Sequence, residues 1–207
     1  MKEKTGDLKT AYEMDYCDVD KVRRHYDDWA LKYDRETRKH GYVGPAEAAR
    51  ILCSHLATKD AEVLDVGCGT GLVGLALAGL GLTRLDGTDL SAEMIAQCKA
   101  TGVYRELQCG DLFQGLNFGT NRYDAVISVG TFGPLGPGMF EPALATVKAG
   151  GLACISVNEI FLGDHDFEAA FDALCASGSW SVVDRQIVPH LIAGNHKAHV
   201  TVLRRVD

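Results

Sequence analysis

The sequence predicts an α/β fold: a seven-stranded, mostly parallel sheet with helices on both faces and an antiparallel last strand. Three observations carry this. Short runs of β-branched and apolar residues alternate with helical patterns, the signature of parallel strands joined by crossover helices. Residues 62–74 (Glu-Val-Leu-Asp-Val-Gly-Cys-Gly-Thr-Gly-Leu-Val-Gly) run a strand straight into a glycine turn and a helix start. The last two strand patterns have no helix between them, so they should pair antiparallel.

A chain of 207 residues suits one domain with a full core, divided here into an N-terminal arm and helical cap, 1–57, and a core, 58–207. The hydrophobic fraction of 46% and charged fraction of 24% place it among soluble globular proteins. Met1 to Thr10 is too polar for a secretory signal, and no run of about 18 apolar residues exists, so no membrane contact is expected. The seven cysteines are scattered without a Cys-x-x-Cys pair, which argues against zinc or a disulfide framework and for a reducing cytoplasm. The net charge of −7 argues against nucleic acid as a partner.

The elements follow in order. Residues 1–19 read as a loose arm. Asp20 is placed to cap a helix with apolar positions Val22, Tyr26, Trp29, Ala30 and Tyr33. Pro45 suits the first turn of a second helix, 46–56. The first strand is 63–66 and its helix 72–80. The second strand is 83–88, after which Ser91 caps a helix ended by Gly102. Further strands are read at 103–109 and 123–129, and residues 133–138 read as a loop. A helix follows at 139–148, then a turn at Ala149-Gly150-Gly151, a strand at 152–157, a helix at 167–177 and strands at 179–188 and 199–204.

The glycine turn can hold an anion at a helix N-terminus. Gly69, Gly71 and Gly74 even form the dinucleotide spacing, and Asp89 lies 22 residues after Gly67, where a ribose diol would sit. Asp65, two residues before the first glycine, would repel a pyrophosphate and suits a cationic group such as an ammonium. Gly110-Asp111-Leu112 ends the third strand, where an aspartate can accept from an adenine amine.

Four motifs in this order resemble a class I S-adenosylmethionine-dependent methyltransferase: Val63 to Gly71, Gly87 to Met94, Gly110-Asp111 and Tyr123 to Val126. Lys148-Ala149-Gly150-Gly151 is similar to the family's Pro-Gly-Gly turn, with alanine in place of proline. The resemblance spans roughly residues 20–160. Tyr26 to Asp34 resembles the N-terminal helix of the methyltransferase-like 27 group. The resemblance implies a Rossmann-like sandwich with S-adenosyl-L-methionine as cofactor and S-adenosyl-L-homocysteine as product. It implies that Gly67, Cys68, Gly69 and Gly71 line the methionine end and that Asp65 orients its ammonium. Asp89 with Leu90 would take the ribose, and Asp111 with Gly110 and Leu112 the adenine. Val129 and Gly130 would lie under the cofactor, with Tyr33 and Trp29 over it.

A sulfonium methyl is already electrophilic, so the acceptor needs alignment and dryness more than dedicated side chains. Three segments beyond the strand ends are placed to meet it: 130–135, 158–165 and 189–197. Their polar members are Thr131, Asn158, Glu159, His165, His190, Asn195 and His196. His190, His196 or His165 would serve as base or clamp, since histidine titrates near neutral pH. The expected reaction is methyl transfer to O, N or S of a small molecule, with a protein acceptor or a non-catalytic cofactor-binding module as alternatives. A nicotinamide oxidoreductase is the remaining rival. No Asn/Asp-Pro-Pro-aromatic motif follows the fourth strand, which lowers the nucleic-acid option further. No metal is expected.

Overall fold

The central strands are short apolar runs, and seven strands meet edge to edge. They are β1 (Glu62–Val66), β2 (Arg84–Asp89), β3 (Tyr104–Cys109), β4 (Tyr123–Val129), β5 (Val147–Asn158), β6 (Trp180–Leu191) and β7 (His196–Arg205). The computed structural model describes residues 7–206. The order is β3-β2-β1-β4-β5-β7-β6, with β7 antiparallel to both neighbours and the other pairings parallel. The order reverses between β1 and β4. Crossovers leave that point in opposite directions, which opens a crevice at the carboxyl ends of these two strands.

Alternation along β1 builds both core layers. Val63 packs on one face with Ile51, Leu52, Leu77, Leu85 and Val200. Leu64 and Val66 pack on the other with Phe132, Phe140, Ile155 and Phe171. Each such fully buried side chain contributes roughly 1.5–3 kcal/mol. Asp65 falls on the Val63 side, turned into the protein with 1% of its surface exposed.

The chain before β1 is more ordered than its polarity suggests. Residues 1–6 of the expected arm lie outside the described residues, but Leu8–Glu13 form α1, capped by the Asp7 side chain on the Thr10 N–H at 2.8 Å. The long helix α2 (Val19–Lys39) begins two residues earlier than expected. Asp18, not Asp20, is its cap, accepting from the Lys21 N–H at 3.0 Å, and Asp20 sits in the first turn, where its charge complements the helix dipole. α3 (Gly44–His55) carries Pro45 in its first turn.

α4 (Leu72–Gly79) and α5 (Ala92–Ala100) follow β1 and β2. Two expectations fail around β5. The helix read at 139–148 is only α7 (Phe140–Leu144), and β5 starts at Val147, so Ala149-Gly150-Gly151 interrupts a strand instead of preceding it. The register with β4 slips at this point, from Tyr123 opposite Val147 to Ala125 opposite Leu152. The loop expected at 133–138 contains α6 (Phe132–Leu135), and α8 (Phe167–Ala176) lies where a helix was read.

Candidate functional site

The turn after β1 folds because three glycines take positive φ: Gly67 at 75°, Gly69 at 53° and Gly71 at 96°. The N–H groups of Gly67 and Cys68 both donate to the Thr88 carbonyl, at 2.8 and 2.9 Å, which ties the turn to the end of β2. A side chain on Gly67 would overlap Thr131, whereas one on Gly69 would meet nothing within 4 Å. Gly69 therefore faces open space.

That space is a cleft of about 930 Å³, counted to its mouth, over the carboxyl ends of β1, β2 and β4. Gly67, Gly69, Asp89 and Leu90 line it, with Gly110, Asp111 and Leu112 on one side and Val129, Gly130 and Thr131 below. From the N-terminal segment it is covered by Tyr33, and also by Tyr16 and Tyr26, which sequence reading did not single out for it. Trp29 does not reach it. The indole is 1% exposed and donates its N–H to Glu36 at 2.7 Å, so it packs the cap.

Each carboxylate of the cleft is held by backbone. Asp89 accepts from the Gly69 N–H at 2.8 Å and the Ser91 N–H at 2.9 Å. Burial raises its pKa, and these two bonds oppose the rise. Asp111 accepts from the Phe113 N–H at 2.9 Å, so it caps the short turn 112–114 while facing the cleft.

α2 is fastened across the cleft at two points. Ser91 donates its hydroxyl to Asp27 at 2.5 Å, and Thr70 donates to Asp34 at 2.6 Å. The two aspartates are seven residues apart, hence on one face of the helix. They tie it to the start of α5 and to the glycine turn.

Asp65, Cys68 and Gly71 stand behind the cleft wall rather than on it. They surround a residue that sequence reading missed, Tyr104. Its ring fills the space that side chains on Gly71, Gly74 and Gly87 would need. Its hydroxyl donates to Asp65 Oδ2 at 2.6 Å and accepts from the Gly74 N–H at 2.9 Å. That N–H belongs to the first turn of α4, whose cap residue Gly71 offers no side-chain acceptor. Tyr104 thus caps α4 from another strand. Asp65 Oδ1 is buried without a partner among the described residues. Burial raises the Asp65 pKa to about 7, against the Tyr104 bond and with help from the nearby Asp89 charge. The one sequence signal for Tyr104 was the surplus of glycines, since Gly74 and Gly87 lie outside the turn proper.

Beyond Gly130 lies a second, smaller chamber of about 460 Å³. Tyr12, Trp29, Tyr42 and Phe161 wall it, and Tyr16, Tyr26, Tyr33 and Gly130 are shared with the cleft. Asn158 and His190 also line it. His190 is 4% exposed and stacks edge-on against Tyr42 with ring centres 4.9 Å apart. Burial drives its pKa down to about 4. The other two histidines do not line either cavity. His165 lies against Gly136, 3.4 Å from the Pro134 carbonyl, and His196 lies 3.8 Å from Glu159 on β7. Strand pairing sets this difference: His190 and His196 flank the hairpin that joins β6 to β7, and only His190 turns inward. Among the described residues no cluster of three or more His, Cys, Asp or Glu is arranged for a metal, and no helix is long and apolar enough to cross a membrane.

A switch-point crevice with a glycine wall and an acid at the end of β2 defines the class. The chain is similar to the class I S-adenosylmethionine-dependent methyltransferases, a family whose cofactor is S-adenosylmethionine. Residues 63–151 match the family described as a methyltransferase domain. Methyltransferase-like protein 27 of Homo sapiens is 35% identical over 165 residues, 75% of this chain. The match spans 66% of that relative, just under two thirds of its length. The fold is similar to magnesium protoporphyrin IX methyltransferase (ChlM) of Synechocystis PCC 6803 with bound S-adenosylmethionine, with a TM-score of 0.69 and 16% identity over 91% of this chain and 97% of that one. It is also similar to a chain in the Haloferax volcanii complex with the Trm112 methyltransferase activator, with a TM-score of 0.70 and 18% identity over 90% and 98% of the two chains.

Proposed function

We propose that the protein transfers a methyl group from S-adenosylmethionine to a small molecule held in the chamber beyond Gly130. The cleft fits the cofactor on its own features. Gly69 leaves the wall open, and Asp89 and Asp111 face the space where hydroxyls and an amine need acceptors. When bound, S-adenosylmethionine supplies a methyl on a positively charged sulfur. Asp89, with Leu90 beside it, holds the ribose hydroxyls, and Asp111, Gly110 and Leu112 hold the adenine. Gly67, Cys68, Gly69 and Gly71 shape the methionine end, and the Asp65 carboxyl stands behind it. Val129 and Gly130 form the floor, and Tyr33 the roof.

The observation that carries the acceptor reading is the shared wall. The chamber meets the cleft at Tyr16, Tyr26, Tyr33 and Gly130 and is roofed by α1 and α2. A protein side chain would need an open groove there. The cover of α1 and α2 also shields the transferred methyl from bulk water. Of the three candidate histidines His190 alone fits a role there. Held neutral far below its ordinary value, it serves as a hydrogen-bond partner and is too weak a base to take a proton near pH 7.

The test uses cofactor labelled in the methyl group, incubated with the protein and either a low-mass metabolite extract or a protein extract. Label in a low-mass product is expected. Label found only in protein refutes the small-molecule acceptor.

A further inference from the structure

On the reading that the chamber receives the acceptor, its walls narrow what the acceptor is. None of the described residues lining it is charged at neutral pH, so a carboxylate would be buried there without a partner. The walls are mostly aromatic faces, which suit a flat apolar molecule.

The chamber also lacks a base. Burial pushes the hydroxyls of Tyr12 and Tyr16 up to about 12, and Tyr26, Tyr33 and Tyr42 rise for the same reason. Asn158 is occupied: its amide donates to Tyr12 at 3.3 Å, and its carbonyl accepts from the Ile160 N–H at 3.2 Å. His190 Nδ1 is buried, has no partner among the described residues, and lies so close to Gly44 that a Cβ there would sit 2.5 Å away. A sealed N–H without an acceptor costs more than a sealed lone pair facing a C–H group. Nδ1 is therefore bare and the proton sits on Nε2, which makes His190 a donor.

An acceptor without a base at hand must attack through a lone pair that carries no proton. Aliphatic amines fail this, since they are protonated near neutral pH. We propose that the chamber takes an uncharged heteroaromatic molecule and that the methyl goes to an unprotonated ring nitrogen, forming a cation faced by the tyrosine rings. The nitrogen lone pair forms the new N–CH3 bond while the S–CH3 bond breaks and leaves its pair on sulfur. The positive charge passes from sulfur to nitrogen, and no proton moves. Cations are attracted to the faces of such rings, and the Tyr42 hydroxyl lies against Gly130, where a Cβ would be 3.5 Å from it. Tyr42 thus reaches the point where the two cavities join.

The first probe pair is quinoline and 2-naphthol, two fused-ring molecules of similar size, offered with labelled cofactor. Quinoline should be methylated to N-methylquinolinium at a rate at least about tenfold above that of 2-naphthol. Preference for 2-naphthol overturns the nitrogen assignment and leaves the small-molecule function standing; label only in protein removes both. The second measurement needs no turnover. Calorimetry should show N-methylquinolinium binding about tenfold more tightly than 1-methylnaphthalene. Tyr42→Phe, which keeps the ring, should retain that preference, and Tyr42→Leu should reduce it at least threefold. Equal binding of the two probes by the unaltered protein overturns the proposal.

Discussion

Tyr104→Phe removes one oxygen and disturbs three elements. The hydroxyl donates to the Asp65 carboxylate at 2.6 Å and accepts from Gly74 at 2.9 Å. A hydrogen bond to a charged group contributes about 1.5–3 kcal/mol and a neutral one about 1 kcal/mol. The sum is about 3 kcal/mol when Asp65 is ionised, which lowers the melting temperature of a chain this size by about 6–12 °C. The loss should depend on pH, and its sign follows from Asp65. The folded pKa, about 7, lies above the ordinary 3.8. A carboxyl raised in this way favours folding at low pH, and that contribution fades as pH rises from about 4 through 7, by about 4 kcal/mol in all. Tyr104 opposes the rise because its hydroxyl binds the ionised form. Its removal should therefore cost about 3 kcal/mol at pH 8 and only about 1 kcal/mol at pH 5, where Asp65 is protonated and mainly the Gly74 bond is lost. Urea unfolding at both pH values measures this. In a double-mutant cycle with Asp65→Asn at pH 8, a coupling above about 1 kcal/mol is expected. A deficit equal at both pH values, or additive effects in the cycle, would refute the reasoning.

Three further outcomes follow from the geometry. Asp89→Ala should weaken S-adenosylmethionine binding at least about tenfold, since it removes a carboxylate held by two backbone N–H groups on the cleft wall; calorimetry that finds unchanged affinity would sink the ribose role. Gly74→Ala places a methyl inside the Tyr104 ring and should cost about 1–3 kcal/mol by overpacking, read as a lower midpoint in denaturant. Deleting residues 1–13 removes Leu8, Ala11 and Tyr12 from the chamber roof but leaves Tyr16, α2 and its ties through Asp27 and Asp34. Cofactor affinity should then stay within about threefold, while turnover of any chamber substrate is lost; retained turnover would dissociate α1 from the acceptor site. A longer cut to residue 34 tests nothing specific, because Val22, Trp29 and Ala30 are buried parts of the fold.

What the sequence determined by itself was local. β1, its glycine turn and α4 are contiguous, and each residue type there is demanded by its own backbone: an apolar run for a buried strand, glycines for positive φ, Ser91 to cap α5. Parallel order followed from alternation, and the antiparallel end from a missing helix. Local rules failed where two signals competed within a few residues. Asp18 and Asp20 are both possible caps, and only the packing of Val22 and Trp29 chooses the helix phase. Ala149-Gly150-Gly151 looks like a turn before a strand, yet pairing with β4 extends β5 across it.

Only the tertiary structure decided which side chains share a space. Tyr104 is 39 residues from Asp65 and 30 from Gly74, and no spacing rule links them. Three histidines looked equivalent as loop residues, but the β6–β7 hairpin buries His190 and turns His196 away, and His165 sits before α8, off the cleft and the chamber. The chamber itself is built from α1, α2, the segment after it and the ends of β5 and β6, which converge only after the sheet has formed. A binding turn for a cofactor can be written in consecutive residues because backbone groups form much of it. An acceptor site is a meeting of distant side chains, and its shape exists only once the chain has folded.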